Sequence, residues 1–470
     1  MRLLLIFLCS VVWGQFGWAQ PLVIERVTVI DATGKPAQPD MTVVVERDRI
    51  TAIGPWKKTK IPKNAHVVDG TGKFLIPGLW DMHVHGTTTG EAAQNYLLYL
   101  ANGVLGVRDM NGPPDAHAWR AQHAAFDGPS PSIYLAGPIV DGPKPMGPGH
   151  IAIANAAQGR EVVAQQQQNG ADFIKVYSFL PRDIYLAIAD EARKRGFPFV
   201  GHVPIGVKAG EASDAGQKSI EHLTQVAAGC SSEEEAIIAQ GTALLAGPPM
   251  GPNQNPRFLS EQRAFETYDG AKAEALFAVF VKNGTWQVPT LISLQAILRL
   301  NEGRIVDERL KYVRKNVRAS WTDAKNSPLF KDMTPEGWLA SGRVFDQNMK
   351  LVGRMYRAGV GILAGTDTPW YYCPAGFSLH DELALLVQAG LPPMAALQAS
   401  TSNAARFMGQ LDYRGTVETG KIADLVLLDR NPLADIHNTR SIRAIVLNGK
   451  FMPRTTLDSM LVDAEALGNK

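Results

Sequence analysis

Six side chains stand out because each falls near the end of a short apolar run of the kind that forms a strand. They are His83 and His85 in LWDMHVH, Lys175 in DFIKVYS, His202 in PFVGHVP, His222 in SIEHL and Asp367 in GILAGTDT. His83 and His85 are two positions apart, and strand side chains alternate with period two, so both imidazoles leave one face and can share a metal ion. An HxH by itself is a weak signal. Lys175 lies in an apolar strand where its ammonium has little water; it can snorkel from a sheet edge to solvent, or it can lose its charge. A neutral amine in such a place can take up carbon dioxide and become an anionic carbamate. Taken singly, His202 and His222 read more readily as hydrogen-bonded core histidines than as ligands, and the set as a whole reverses that reading. Asp367 could bind a metal through one oxygen and exchange a proton through the other, or it could stabilise a turn ahead of Pro369.

Such positions need a scaffold that gathers strand ends. Between about Ile76 and Gly409 short apolar segments alternate with helical ones, the pattern of βα units around a parallel sheet. Eight candidate strands can be read: LWDMHVH, GVLGVRDM, SIYLAGPIV, DFIKVYS, PFVGHVP, SIEHL, TWQVPTL and GILAGTDT. Eight is the number a (β/α)8 TIM barrel requires, and in that fold the residues after each strand shape one pocket. Helical patterns between them stop at Gly103, Gly196 and Gly390. Two gaps, Thr224 to Tyr268 and Ile292 to Asp332, exceed what a crossover needs and read as insertions, the first with a GPPMGPNQNP loop tract. The ends differ in texture: Leu22 to Val68 and Lys421 to Met452 carry short β-like runs broken by Gly, Pro and Asp. The expectation is an α/β chain with a leader over residues 1–19, a barrel over 76–412, and β segments over 20–75 and 413–470 that bracket it.

The order HxH on strand one, Lys on four, His on five and six and Asp on eight resembles the ligand order of binuclear enzymes of the amidohydrolase superfamily. The phrases FLIPGLWDMHVH and GTVETGKIADLVLLDRNPL resemble that superfamily's entry to and exit from its barrel, and the β ends resemble its split β-sandwich, which implies a metal-dependent hydrolase barrel over 76–412 with a small β-sandwich domain built from 20–75 and 413–470. The short interval between His202 and His222 is most similar to the branch holding Xaa-Pro dipeptidases, ochratoxin amidases and imidazolonepropionase-like proteins. The resemblance implies two divalent ions, zinc by preference. His83, His85 and Asp367 would hold one, His202 and His222 the other, and a Lys175 carboxylated by carbon dioxide would bridge them. It further implies that a metal-bridging hydroxide attacks an amide carbonyl while Asp367 takes the proton and passes it to the leaving amine.

Other residues have weaker claims. His150, in MGPGH after the third strand, could bind substrate or sit in a solvated turn; Tyr177 points the same way as Lys175 and could donate to a substrate carbonyl or pack in the barrel. Tyr371 and Tyr372 could shape a specificity pocket or lie exposed in their loop. His380 reads as part of a helix start with Ser378 as its cap, and Arg108 and Asp109 as a buried ion-pair network or support. His66, His117, His123 and His437 read as surface or structural. Cys230 and Cys373 follow strands six and eight, and a disulfide between them is a hypothesis of the barrel reading.

The chain has 470 residues, 45% hydrophobic and 20% charged, which excludes a disordered, collagen-like or coiled-coil protein. A formal net charge of +2 and the absence of a basic stripe give no support for a nucleic-acid partner. One Arg, an apolar run from Leu3 to Trp13, and Gly17 and Ala19 before Gln20 read as a secretory signal. That run is short of the ~20 apolar residues that span a bilayer, so the expectation is an exported, periplasmic or secreted protein without stable membrane insertion. Its partner would be a small-molecule amide or peptide, most plausibly a dipeptide or N-acyl amino acid. Cyclic amides, lactones or other esters are the alternative substrates, and a non-catalytic binding protein on the same barrel is the alternative class; a homo-oligomer stays open.

Overall fold

The computed structural model describes residues 20–126, 128–147, 149–246, 256–301, 307–322, 330 and 333–469. The expected leader, 1–19, and residues 247–255 of the GPPMGPNQNP tract lie outside the described residues. Near the amino end, runs of Val and Ile form β1 (Leu22–Val29), β2 (Gln38–Glu46) and β3 (Arg49–Pro55), paired antiparallel in that order. β4 (His66–Asp69) and β5 (Phe74–Pro77) run parallel to β1.

The next strands are all parallel. β6 (Leu79–Val84), β7 (Val104–Asp109) and β8 (Ser132–Leu135) make one sheet. β9 (Val140–Asp141), β10 (Ile151–Ala152), β11 (Ile174–Val176), β12 (Phe199–Gly201), β13 (Ser219–Glu221) and β14 (Trp286–Val288) make another, ordered β10-β9-β11-β12-β13-β14. Parallel bridges link the two: Ala136 pairs with Phe173, Gln287 with Ile362, and Val84 with Thr368. The last two bridges carry the path from β14 through residues 361–368 back to β6.

Residues 361–368, expected as the eighth strand, are held at isolated bridges and form no continuous strand. The reason is local. The Thr366 amide turns to the Asp81 carboxylate at 3.1 Å and to the His83 carbonyl at 3.3 Å, and a Cβ on Gly365 would stand 2.8 Å from His83 Cβ. Trp80, Met82, Phe173, Val200, Val288 and Leu363, from five of these segments, pack with Phe407 into one buried cluster beneath the strand ends.

Three strands near the carboxyl end, β15 (Leu425–Leu428), β16 (Ile442–Leu447) and β17 (Lys450–Pro453), complete the sheet of the amino end, because β15 runs antiparallel to β5. That sheet turns on itself: Arg49 at the start of β3 bridges Ile422 just ahead of β15, and Ile24, Val43, Val45, Leu75, Leu425 and Val446 pack between. The final helix, Arg454–Gly468, buries Leu457, Met460 and Ala464 in the main core, and the Gln94 amide donates to its Ala464 carbonyl.

The glycine stops act as expected. Gly103, Gly196 and Gly390 take φ of 69°, 60° and 108°, open to glycine at no steric cost, after the helices Ala92–Ala101, Arg182–Arg195 and Phe377–Gln388. Ser378 is not the cap of the last of these; the helix begins after Gly376, and the Ser378 hydroxyl bonds back to the Pro374 carbonyl. The disulfide is also corrected. Cys230 and Cys373 are free and buried, each packed in the main hydrophobic cluster, and burial pushes the Cys230 thiol up to about 12. Among the described residues no helix is long and apolar enough to cross a membrane.

Candidate metal centre

β6 delivers the HxH pair to the position where residues 361–368 pass. The His83 carbonyl accepts the Asp367 amide at 2.8 Å, and the His85 amide donates to the Thr368 carbonyl at 2.8 Å, so the backbone sets both imidazoles opposite the carboxylate. His83 Nε2 is 3.3 Å from His85 Nε2 and 3.3 Å from Asp367 Oδ1, and His85 Nε2 is 3.2 Å from that same oxygen. Ligand atoms about 2.0–2.1 Å from a tetrahedral zinc stand roughly 3.3 Å apart. The triangle therefore has the spacing of three ligands to one ion, and these residues could hold a metal.

His202 and His222 follow β12 and β13, with rings 5.0 Å apart and perpendicular. Ser178 Oγ contacts His202 Nδ1 at 2.7 Å and Thr290 Oγ1 contacts His222 Nδ1 at 2.6 Å, so a metal would be met by Nε2 of each. His222 lies 4.5 Å, centroid to centroid, from His83, which joins the two groups into one site. Lys175 is in the middle of β11, fully buried, and its Nζ has no hydrogen-bond partner among the described residues. Burial pushes its amine down to about 8, against the pull of Glu221 and Asp367. Burial would raise Asp367, yet His222, His83 and His85 hold its carboxyl well below the usual range.

Backbone strain concentrates here. Asp367, His222, Leu223 and Thr290 take left-handed φ of 63°, 57°, 57° and 47°, uncommon for residues with a side chain. Gly201 lets β12 approach β11, since a Cβ there would stand 2.1 Å from the Val176 carbonyl oxygen.

Two acids escaped the sequence reading. Glu221, immediately before His222, accepts from His83 Nδ1 at 2.7 Å and from buried Arg108 at 2.9 Å through both oxygens; Arg108 is thus the buried ion-pair member expected, with its partner on a distant strand. Burial opposes the charge on Glu221, but Arg108 and His83 hold it well below the usual carboxylate range. Asp141 is buried, accepts the Gly142, Met146 and Phe179 amides at 2.9 Å each, and lies 3.6 Å from His150 Nδ1. His150 in turn meets Tyr177 edge-on at 4.9 Å, and Tyr177 stacks on His202 at 4.0 Å. Both weaker candidates thus stand beside the second histidine pair.

The remaining candidates sort differently. Tyr372 is buried and Tyr371 half-buried, in an aromatic cluster with Phe330 and Trp321 rather than exposed. His380 is buried between the Thr439 hydroxyl and the Asn102 carbonyl, a structural role. The Asp109 carboxylate accepts the Thr87 amide at 2.8 Å and supports the loop after β6. His123 stacks on Trp119, His66 meets Phe451 edge-on, and His437 pairs with Asp435, all outside the site.

Comparison with known proteins places this geometry. Ochratoxinase of Aspergillus niger is 30% identical over 114 residues, 24% of this chain and 23% of that protein, so the chain matches about a quarter of that relative's length. The fold is similar to that of bottromycin amidohydrolase, with a TM-score of 0.74 and 23% identity over 95% of this chain and 90% of the other. It is similar also to a Xaa-Pro dipeptidase with methionine bound in its active site, with a TM-score of 0.66 and 19% identity over 92% of this chain and all of the other. Residues 74–452, from β5 through nearly all of β17 and including every histidine, lysine and aspartate of the centre, match the amidohydrolase family, and the chain belongs to that family.

Proposed function

We propose that the chain is a binuclear metal-dependent hydrolase of amide bonds in dipeptides or N-acyl amino acids, working on a (β/α)8 barrel that the bridged strands close, outside the cytoplasm. The observation that carries the reading is the triangle of His83, His85 and Asp367. Glu221 accepts a hydrogen bond from His83 Nδ1–H, so a neutral His83 turns a lone pair, not a proton, toward both His85 Nε2 and Asp367 Oδ1 at 3.3 Å. A lone pair packed against the Asp367 carboxylate is stable around a cation. Lys175 supports a second ion: with its amine near 8, about a tenth is neutral at pH 7, against roughly one part in 3,000 for an ordinary lysine, and the neutral amine is the form that carbon dioxide converts to a carbamate.

In this reading His83, His85 and Asp367 would hold one ion and His202 and His222 another, with Lys175, once carboxylated, available as a further anionic ligand. Bound divalent ions, zinc by preference, would supply a hydroxide nucleophile at neutral pH and polarise the scissile carbonyl. Asp367 accepts the nucleophile's proton on its carboxylate and returns it to the leaving amine. Tyr177 and His150, ranged beside His202, bind the substrate carbonyl or carboxylate.

The test is a mass-spectrometric screen of the zinc- and bicarbonate-reconstituted protein against a library of dipeptides and N-acyl amino acids, with His202→Ala as the blank. Cleavage by the wild type alone is expected. No cleavage by protein shown to hold two ions would refute the substrate class and redirect the search to cyclic amides and lactones.

A further inference from the structure

Arg108 and Glu221 belong to β7 and β13, which are not neighbours in the sheets, and their contact spans the space the strands enclose. Both side chains are wholly buried. Arg108 Nη2 donates to both Glu221 oxygens at 2.9 Å, its Nη1 donates to Ser219 Oγ at 3.0 Å, and its Nε donates to the Met82 carbonyl at 2.5 Å. The guanidinium also lies over the rings of Phe407 at 4.9 Å and Phe173 at 5.7 Å. Ser219 donates to Glu221 Oε1 at 2.5 Å, and Oε2 receives His83 Nδ1 at 2.7 Å. Every direction of the Glu221 carboxylate is therefore taken by a donor, although the residue adjoins His222 in sequence.

We propose that Glu221, locked by Arg108, is a positioning residue that fixes the ring and tautomer of His83 so that Nε2 faces His85 and Asp367. The inference rests on the metal-centre reading above. An ionised carboxylate can only accept, so the imidazole must place its proton on Nδ1 and its lone pair on Nε2. Arg108 does two things in this arrangement. It balances the buried negative charge, and it holds both carboxylate oxygens away from the metal triangle, so that Glu221 serves His83 instead of competing with Asp367. Partners of this kind behind a ligating histidine change metal affinity by about 10- to 100-fold when removed.

Glu221→Gln separates positioning from simple packing. The amide has the same shape, but its NH2 must face either His83 Nδ1 and Arg108, or Arg108 and Ser219. The first orientation turns the tautomer of His83 and the second sets donor against donor. The measurement is the zinc dissociation constant by chelator competition on full-length protein, with the visible spectrum of the cobalt-loaded form as a second readout and urea unfolding as the check on folding. Glu221→Gln is expected to weaken zinc binding at least tenfold and to alter the cobalt bands. The double variant Arg108→Met with Glu221→Met exchanges the ion pair for apolar side chains, which proteins often tolerate; it is expected to fold and to show the same loss. Zinc affinity and cobalt bands equal to wild type in folded Glu221→Gln would overturn the proposal. A wild-type protein that binds no zinc would instead overturn the metal-centre reading itself, and this inference with it.

Discussion

Lys175→Met should make the metal-free protein more stable while removing its function. Lys175 is fully buried without a hydrogen-bond partner, and its amine falls from the ordinary 10.5 to about 8. At roughly 1.4 kcal/mol per factor of ten, that difference amounts to about 3 kcal/mol. The sign follows from proton counting. Between pH 8 and 10.5 the unfolded chain binds the lysine proton and the folded chain does not, so folded stability rises with pH across that window. Below pH 8 both states are protonated and the whole penalty is present. Methionine carries no charge and matches the lysine stem in length. Chelated, bicarbonate-free Lys175→Met is therefore expected to exceed chelated wild type by about 2–3 kcal/mol at pH 7 in urea unfolding, with the gap closing toward pH 10.5. Zinc and bicarbonate should close the gap, since a ligand at a hundred times its dissociation constant contributes about 2.7 kcal/mol to the protein that binds it. A chelated variant no more stable than wild type at pH 7, or a gap that does not change with pH, would refute the reasoning.

Asp367→Asn should retain zinc on the histidines but lose about 10²- to 10⁴-fold in turnover, because the amide cannot accept and return a proton; wild-type turnover by the metal-loaded variant would remove Asp367 from proton transfer. Burial pushes His380 down to about 4, so the folded protein excludes a proton that the unfolded chain binds below about 6.5. Wild type should lose about 3 kcal/mol from this residue as pH falls from 6.5 to 4, a loss missing in His380→Asn, and identical pH slopes of the urea midpoints in the two proteins would contradict this.

The candidate residues of the centre were legible because each depends on local pattern: an apolar run names the strand, period two names the face, and a polar residue at the run's end names the site. His83, His85, Lys175, His202, His222 and Asp367 all fall together on that logic. Glu221 and Asp141 were not legible, since their roles depend on partners that sequence spacing does not bring together. Glu221 finds Arg108 across the strands, and Asp141 collects three amides from two loops. The same limit applies to residues 361–368, whose amide at Thr366 answers to Asp81 from a strand nearly 300 positions earlier. Tyr371 and Tyr372 read as loop aromatics because the insertion that covers them, through Trp321 and Phe330, carries no periodic signal linking it to that loop. The two cysteines mislead for a related reason: sequence can place both after strands, but burial in the core, not loop position, decides that they stay reduced.

The centre is assembled against the preferences of its parts, and this argues that the fold is shaped by its chemistry. A buried amine without a partner lowers stability by about 3 kcal/mol, and each left-handed residue with a side chain, at Asp367, His222, Leu223 and Thr290, costs on the order of 1 kcal/mol or more. Replacing any of these by a residue at ease in its place would stabilise the apoprotein. Surrounding structure does the opposite and holds them: Gly201 and Gly365 open space that a methyl group would close, and the Asp81 carboxylate, raised to about 7 by burial, still takes the His83 and Thr366 amides. Arg108 and Glu221 follow the same rule with the opposite sign, since their charges cancel and both carboxylate oxygens are met by donors. Stability is thus concentrated in the layer behind the ligands and withheld from the ligands themselves, which is the distribution expected where bound ions, not packing, complete the site.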